Sequence, residues 1–143
     1  MRAIIIYDSY FGNTEKIARV LGEELEAKVA RVNDIKKSDL ADVEIMIIGS
    51  PIRGWKPSDR MEKFLGEFGD HDLLGKKVAA YDTRVKLFIH GDAASKISRV
   101  AERAGANIIV EPEAFFVKGS EGPLFDGEIE RAREWGKKIK EKI

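Results

Sequence analysis

The chain has 143 residues, of which 43% are hydrophobic and 35% charged, so it is long enough to bury a core without disulfides or metals. Its 25 basic and 25 acidic residues are interleaved and give a formal net charge of zero, which argues against a nucleic-acid or membrane-surface binder. The sequence has no cysteine and only two histidines, which excludes disulfides, iron–sulfur clusters and thiolate or histidine-rich metal sites.

The start of the chain and its composition suggest where the protein works. No apolar run reaches the length of a membrane span, and Met1 and Arg2 lead directly into a predicted strand, so we expect a cytoplasmic protein. Lys and Glu dominate the charged residues and glutamine is absent, a bias that resembles the composition of thermophile proteins.

A short polar loop between the first predicted strand and helix is typical of an anion site. The β-branched run 3–6 indicates a strand covered on both faces, and apolar residues at helical spacing predict a helix from Asn13 or Thr14. The first N–H groups of such a helix have no intrahelical partner, and the helix dipole adds partial positive charge there. Ser9, Asn13 and Thr14 offer donors and Gly12 leaves room, which indicates a phosphate held by neutral groups. The same residues also suit a simple helix cap.

Strands and helices alternate along the rest of the chain. We predict strands at 29–32, 43–48 and 76–81, and a last strand split into 107–110 and 115–117 around Pro112. Gly49-Ser50-Pro51 is expected to end the central strand abruptly. We predict helices that begin at Ser58, near Asp92 and at Asp126, a stop at Gly105, a loose turn around 38–39, and loops at 50–57 and 84–91.

This alternation predicts a single α/β domain over residues 1–143, with five parallel strands, helices on both faces and right-handed crossovers. Loops 8–14, 50–57 and 83–91 all follow the carboxyl ends of strands, so they meet at one edge of the sheet. Three such loops at one edge predict a ligand pocket.

Three segments of the chain resemble flavodoxins, which bind flavin mononucleotide (FMN) and transfer electrons. The pattern Ser-x-x-Gly-Asn-Thr at 9–14 resembles their phosphate loop, and Gly-Ser-Pro-Ile-Arg-Gly-Trp at 49–55 resembles their second flavin-contacting loop. The segments 116–119, 122–124 and 127–132 with Trp135 are similar to their final strand and helix, and the short link 119–122 matches the short-chain branch. The resemblance implies a flavodoxin-like doubly wound sheet in the order 2-1-3-4-5, with FMN at the carboxyl ends of the first and third strands.

The same resemblance implies which residues bind FMN. The phosphate is held by Ser9, Gly12, Asn13 and Thr14, and the ribityl side is lined by Tyr10 and Phe11. The second loop faces the isoalloxazine ring with Pro51, Ile52, Arg53, Gly54 and Trp55, where the Gly54 peptide can flip to accept a hydrogen bond from the ring and Trp55 either stacks on it or shields the loop. The third loop offers backbone groups of Thr83, Arg84 and Val85, and Phe88 or His90 for stacking, although a solvated loop histidine is an equal alternative for His90.

Three features depart from the flavodoxin pattern. Phe11 stands where the family commonly has Thr or Tyr, and the third loop lacks the family's glycine-rich turn with a Tyr or Trp. Flavodoxins are commonly acidic and meet basic redox partners, whereas this neutral chain carries Arg53, Lys56, Arg84 and Lys86 on its predicted pocket loops. Because cations favour an anionic, reduced flavin, we expect a less negative second reduction potential than in an acidic flavodoxin.

The leading interpretation is a flavoprotein of the oxidoreductase class that carries electrons between redox proteins, with no residue acting as acid, base or nucleophile. Two alternatives share the fold: a binding module that has lost FMN, and a small flavin-dependent reductase. A phosphoacceptor receiver domain also has five strands, but Gly49-Ser50-Pro51 stands at the end of the third strand, where its acceptor aspartate is needed. The sequence leaves the oligomeric state and the identity of the redox partners open.

Overall fold

The computed structural model describes residues 2–87 and 90–143, and it contains the predicted alternation of strands and helices. The strands are β1 (Ala3–Tyr7), β2 (Lys28–Arg31), β3 (Ile45–Arg53), β4 (Lys56–Pro57), β5 (Lys77–Val85), β6 (Asn107–Ile108) and β7 (Glu113–Val117). The helices are α1 (Asn13–Leu25), α2 (Asp59–Leu65), α3 (Ala94–Arg103) and α4 (Glu128–Glu141), and two 3₁₀ turns cover Val32–Asp34 and Lys37–Leu40.

The strands other than β4 pair in parallel, in the order β2-β1-β3-β5, and both β6 and β7 pair with the far edge of β5. β6 lies beside Lys77 and Val78 at the start of β5, whereas β7 lies beside residues 81–85 at its end. Because β6 and β7 occupy successive parts of one position, the sheet has the predicted order 2-1-3-4-5 and the predicted interruption near Pro112.

The sheet separates two hydrophobic cores. Successive side chains of a strand point to opposite faces, so Ile6 packs with side chains of α2 and α3, and Ile5 packs with side chains of α1 and α4. Both faces of β1 and β3 are therefore covered by helices. This is why the runs 3–6 and 45–48 are continuously apolar.

The prediction that Gly49-Ser50-Pro51 ends the central strand is wrong, because β3 continues to Arg53 and pairs with β5 as far as Thr83. β1 ends opposite Gly49, whose carbonyl accepts the last cross-strand bond from the Asp8 N–H. Alternate residues of a parallel strand turn their backbone groups to the same side, so Pro51, like Gly49, faces the side of β1. Because β1 ends opposite Gly49, no strand lies beside Pro51 on that side to need its missing N–H. The strand tolerates proline there.

The other boundaries differ from the prediction by a few residues. β5 runs to Val85 instead of Tyr81 because β7 pairs with its second half, and α3 begins at Ala94 instead of near Asp92. The predicted Ser58 cap is confirmed, since its hydroxyl accepts a hydrogen bond from the Met61 N–H at 3.2 Å. Within residues 2–87 and 90–143, no helix is long and apolar enough to cross a membrane.

Candidate functional site

The first loop turns from β1 into α1 with its donors directed away from the protein's own acceptors. Gly12 precedes the helix with φ 89°, and no side chain caps the helix start. The first-turn N–H groups of Asn13, Thr14 and Glu15 therefore have no acceptor among the described residues. The Ser9 hydroxyl oxygen accepts the Gly12 N–H at 3.0 Å, which leaves the hydroxyl proton free to donate.

A buried carboxylate anchors this loop from below. Asp8 is fully buried and accepts hydrogen bonds from the Ser9 N–H, the Ser58 hydroxyl at 2.5 Å and the Arg60 guanidinium at 2.9 Å. Arg31 donates to the Ser9 carbonyl at 2.9 Å. The first loop is thus tied to the start of α2 and to the end of β2, so its donors are held in place before any ligand arrives.

The segment 50–57, predicted as a loop, is a tight hairpin formed by the end of β3 and by β4. β3 and β4 pair in antiparallel fashion, and the turn between them has φ 57° at Gly54 and 70° at Trp55. Positive φ at both central positions is the geometry of a type I′ turn, which glycine adopts freely and tryptophan does not. The Trp55 carbonyl accepts hydrogen bonds from the Asp92 N–H at 3.3 Å and the Lys96 ammonium at 3.1 Å.

Gly91 brings the third loop against this hairpin. A Cβ atom at Gly91 would lie 2.4 Å from the Trp55 Cα, so only glycine permits the two backbones to approach this closely.

The end of β5 carries an ion-pair cluster. The buried Asp82 carboxylate accepts hydrogen bonds from Arg84 at 2.6 Å and from the N–H groups of Ala93 and Ala94, where α3 begins. Arg84 also contacts Asp92 and lies within hydrogen-bond distance, 3.0 Å, of the His90 ring. The hydrogen bond to Asp82, with the charge of that carboxylate, raises the pKa of Arg84 above its ordinary value despite partial burial. Two carboxylates thus compensate most of the Arg84 charge.

A cleft of about 190 Å³ opens between these loops at the carboxyl edge of the sheet. Its walls come from the first loop, the end of β3, the end of β5, the third loop and the segment after β7. The lining residues are Ser9, Tyr10, Phe11, Asn13, Thr14, Pro51, Ile52, Arg53, Thr83, Arg84, Val85, His90, Gly91, Val117 and Ser120.

Comparison with known proteins identifies the family. A family model described as a flavodoxin domain matches residues 4–109 of the chain. A flavodoxin of Klebsiella pneumoniae is 32% identical over 114 residues, a match that covers 73% of this chain and 64% of that protein. The chain belongs to the flavodoxin family.

Two further comparisons extend over the whole chain. A flavodoxin of Maridesulfovibrio salexigens is 26% identical over 99% of each sequence. The crystal structure of oxidised flavodoxin 1 from Bacillus cereus matches with a TM-score of 0.87 and 20% identity, covering 100% of this chain and 99% of that one. The latter shows a shared flavodoxin fold.

Most of the residues proposed from the flavodoxin resemblance line the cleft of this family member. Twelve of them, all except Gly12, Gly54, Trp55 and Phe88, are among its lining residues. Gly12 is the first-loop residue that directly precedes α1, and Trp55 is 57% exposed at the tip of the hairpin, outside the cleft. Phe88 lies outside the described residues.

Two side chains of the first loop have partners that the sequence did not indicate. The Thr14 hydroxyl lies 2.7 Å from the Thr83 hydroxyl, and one amide hydrogen of Asn13 is donated to the Glu121 carbonyl at 3.2 Å. The Glu121 contact ties the first loop to the segment after β7.

The sequence reasoning missed three lining residues, Gly91, Val117 and Ser120. Val117 ends β7 and Ser120 follows it, so the rule that all carboxyl ends of parallel strands share one edge is the signal that would have found both. Gly91 is recognisable only from its contact with Trp55 in space.

Tyr10 lies between two cations at the mouth of the cleft. The guanidinium carbons of Arg53 and Arg60 are 4.5 and 4.6 Å from the centre of its ring. The hydrogen bond to Asp8, with the charge of that carboxylate, raises the pKa of Arg60. Arg53 has no ion-pair partner among the described residues, so its charge is exposed to a ligand in the cleft.

Proposed function

We propose that this member of the flavodoxin family binds FMN in the cleft and carries electrons between redox proteins. The observation that carries the proposal is the uncapped start of α1, whose free N–H groups open into a cleft lined by the three predicted loops. An anion binds favourably at such a helix terminus, by about 0.3–1 kcal/mol from the dipole alone.

The first loop suits a phosphate. The N–H groups of Asn13, Thr14 and Glu15, the Ser9 hydroxyl proton and the Thr14 hydroxyl all lie at one helix end. An ideal Cβ at Gly12 would meet nothing within 4 Å, so the space above it is open to a ligand. No Lys or Arg lies between Ser9 and Thr14, and we infer that neutral donors and the helix dipole hold the phosphate, as the sequence predicts.

The ring site is assigned to the walls formed by β3, β5 and the third loop. Ile52 and Val85 supply apolar contact, Thr83 and Arg84 supply backbone groups, and Tyr10 and Phe11 flank the side toward the phosphate. FMN, when bound, supplies the one- and two-electron chemistry, and the protein contributes orientation, exclusion of water and electrostatics.

The geometry of the hairpin favours rotation of the Gly54–Trp55 peptide. Rotation of the Gly54–Trp55 peptide converts a type I′ turn into a type II′ turn, in which the second central residue has negative φ. Trp55 now has φ 70°, so this rotation relieves backbone strain of about 1 kcal/mol at Trp55. The strained turn supports the flip of the Gly54 carbonyl toward the ring that the family resemblance implies.

The test is the visible absorption spectrum of the purified protein before and after incubation with FMN and desalting. We expect flavin bands that survive desalting. We also expect FMN to bind more tightly than riboflavin, which lacks the phosphate, and we expect Ser9→Ala to weaken FMN binding about two- to tenfold. Ser38→Ala, which removes an exposed hydroxyl far from the cleft, is the matched control.

A protein that shows no flavin absorption after incubation with FMN and desalting would overturn the proposal and favour the binding module that has lost FMN. Equal affinities for FMN and riboflavin would remove the phosphate assignment while leaving the ring site in place.

A further inference from the structure

The exposed apolar side chains of the molecule are concentrated at the mouth of the cleft. Among the described residues, the large apolar side chains that remain substantially exposed are Tyr10, Phe11, Trp55, Leu74, Leu87, Phe125 and Ile143. All except Leu74 and Ile143 belong to the loops at the carboxyl edge of the sheet. Clustered exposed apolar side chains at one place on a surface are typical of a protein–protein contact.

Trp55 and Leu87 are the most exposed of the five, at 57% and 62%. Trp55 is held by a hydrogen-bonded hairpin, by the Asp92 N–H and Lys96 bonds to its carbonyl, and by the close approach of Gly91. These contacts involve the Trp55 backbone, and an aromatic side chain has only two rotatable bonds, so it loses little conformational entropy on docking; such residues are frequent energetic centres of interfaces.

The charged residues next to these two side chains in sequence are basic. Arg53 and Lys56 flank Trp55 on the hairpin, and Lys86 precedes Leu87; all three cations are exposed and none forms an ion pair with a carboxylate among the described residues. The Asp92 carboxylate, whose backbone contacts the hairpin, is paired with Arg84. The sequence from Val85 to Gly91 contains no acidic residue. We call Arg53, Trp55, Lys56, Lys86 and Leu87 the basic rim.

We propose that the basic rim docks an acidic redox protein, with Trp55 and Leu87 at the centre of the contact and the cations around it. The proposal rests on the proposed function, because it places the contact where a flavin in the cleft is nearest to solvent. It reverses the charge relation that the family resemblance implies, in which an acidic flavodoxin meets a basic partner. Complementary charge of this kind raises association rates about 10- to 1000-fold at low salt.

The experiment compares two electron acceptors of opposite charge. The FMN-loaded protein is reduced and mixed in a stopped-flow instrument with plastocyanin, which is acidic, or with mitochondrial cytochrome c, which is basic, over a range of ionic strengths. We expect the rate with plastocyanin to fall at least tenfold as salt is raised, and the rate with cytochrome c to stay constant or rise.

A charge-reversed variant with a matched control separates the basic rim from net charge. Lys56→Glu/Lys86→Glu is expected to lower the plastocyanin rate at low salt at least tenfold. Lys28→Glu/Lys142→Glu makes the same change in net charge at exposed positions near the amino edge of the sheet, and it is expected to change the rate less than twofold. Trp55→Ala is expected to lower the rate at every ionic strength.

A rate with cytochrome c that falls with salt, or equal effects of the two double variants, would overturn the proposal while leaving the flavin site intact. The flavin absorption of each sample reports loading independently. A protein that retains no flavin would overturn the proposed function, and the docking proposal with it.

Discussion

The Thr14 and Thr83 hydroxyls share one hydrogen bond beneath the cleft, with 2.7 Å between their oxygens. Both residues are buried, and each hydroxyl has a single proton to donate. If Thr14 donates to a bound phosphate, Thr83 must donate to Thr14, so the two protons are ordered together. The pair therefore couples the first loop to the end of β5.

We predict that Thr83→Val lowers the affinity for FMN about two- to tenfold, because the Thr14 oxygen loses its buried donor. Titration calorimetry measures the effect, and riboflavin is the control ligand, for which the loss should be smaller. In a Thr14→Val background, the same substitution should have no further effect on FMN binding. An equal loss in both backgrounds would contradict the coupling.

Gly49 on β3 leaves room for the buried ring of Tyr81 on β5. A Cβ atom at Gly49 would lie 2.0 Å from that ring, and the Tyr81 hydroxyl donates to the Thr14 carbonyl at 2.9 Å. We predict that Gly49→Ala lowers the free energy of unfolding by about 3 kcal/mol, measured by urea denaturation, because the ring cannot move without losing this bond. Tyr81→Phe, which keeps the ring and removes the bond, should cost about 1 kcal/mol. A smaller effect of Gly49→Ala than of Tyr81→Phe would show that the core relaxes around the methyl group.

At the scale of elements, Glu128 joins β7 to α4. Its carboxylate accepts hydrogen bonds from the Phe116 N–H at 2.7 Å and from Arg131 at 2.8 and 2.9 Å, while the Arg131 guanidinium lies 4.9 Å from the centre of the Phe115 ring. Burial alone raises the pKa of Glu128, but the hydrogen bonds from Arg131 and Phe116 outweigh it, and the pKa lies below its ordinary value.

A carboxyl group with a lowered pKa stabilises the fold at pH values above its ordinary pKa, and this contribution is lost as the pH falls through the lowered value. We predict that Glu128→Gln lowers the free energy of unfolding by about 1–2 kcal/mol at pH 7 and has a diminishing effect below about pH 4.5. Glu130→Gln on the same helix, whose side chain is 76% exposed, should change stability by less than about 0.5 kcal/mol. A loss of unfolding free energy in Glu128→Gln that stays constant down to pH 3 would show that the charge of the Glu128 carboxylate plays no part.

The elements also show what the sequence predicts well. Apolar runs without alternation identified β1 and β3, and residues with a local mechanism, such as Ser58 as a cap, fixed helix ends. The extension of β3 through Pro51 was not predictable in this way, because the cost of a missing N–H depends on whether a neighbouring strand is present at that point. The type I′ turn was not predictable either, because its second central residue is Trp55, and tryptophan rarely adopts positive φ.

At the scale of the whole molecule, the cleft joins loops that follow β1, β3, β5 and β7. A ligand that touches all of them binds the folded chain and not the unfolded one. We predict that FMN at 100 times its dissociation constant raises the free energy of unfolding by about 2.7 kcal/mol, measured by urea denaturation at several FMN concentrations. Hydrogen exchange should slow in both helical layers, and a midpoint independent of FMN concentration would contradict binding to the native state.

The position of the candidate site was predictable, because parallel strands bring their carboxyl ends to one edge whatever their sequences. Its internal contacts were not, since Thr14 with Thr83, and Gly91 with Trp55, are pairs far apart in sequence whose members look ordinary alone. Asp8 illustrates the same limit: in the sequence it is one polar residue of a loop, and in the fold it is the buried anchor of that loop. The ion pairs of Arg84 with Asp82 and Asp92 were not predictable either, and because of them we expect Arg84 to raise the reduction potential less than an unpaired cation would.

Asp82 closes the base of the third loop, because one carboxylate binds both Arg84 on the strand and the first N–H groups of α3. The residues between these two points do not have to hold the flanking elements together. We therefore expect substitutions at Lys86 and Leu87 to leave the sheet and helices in their positions. Gly91 is an exception within this loop, because its contact with the hairpin fixes it. This accounts for a third loop that departs from the family pattern on a fold that does not.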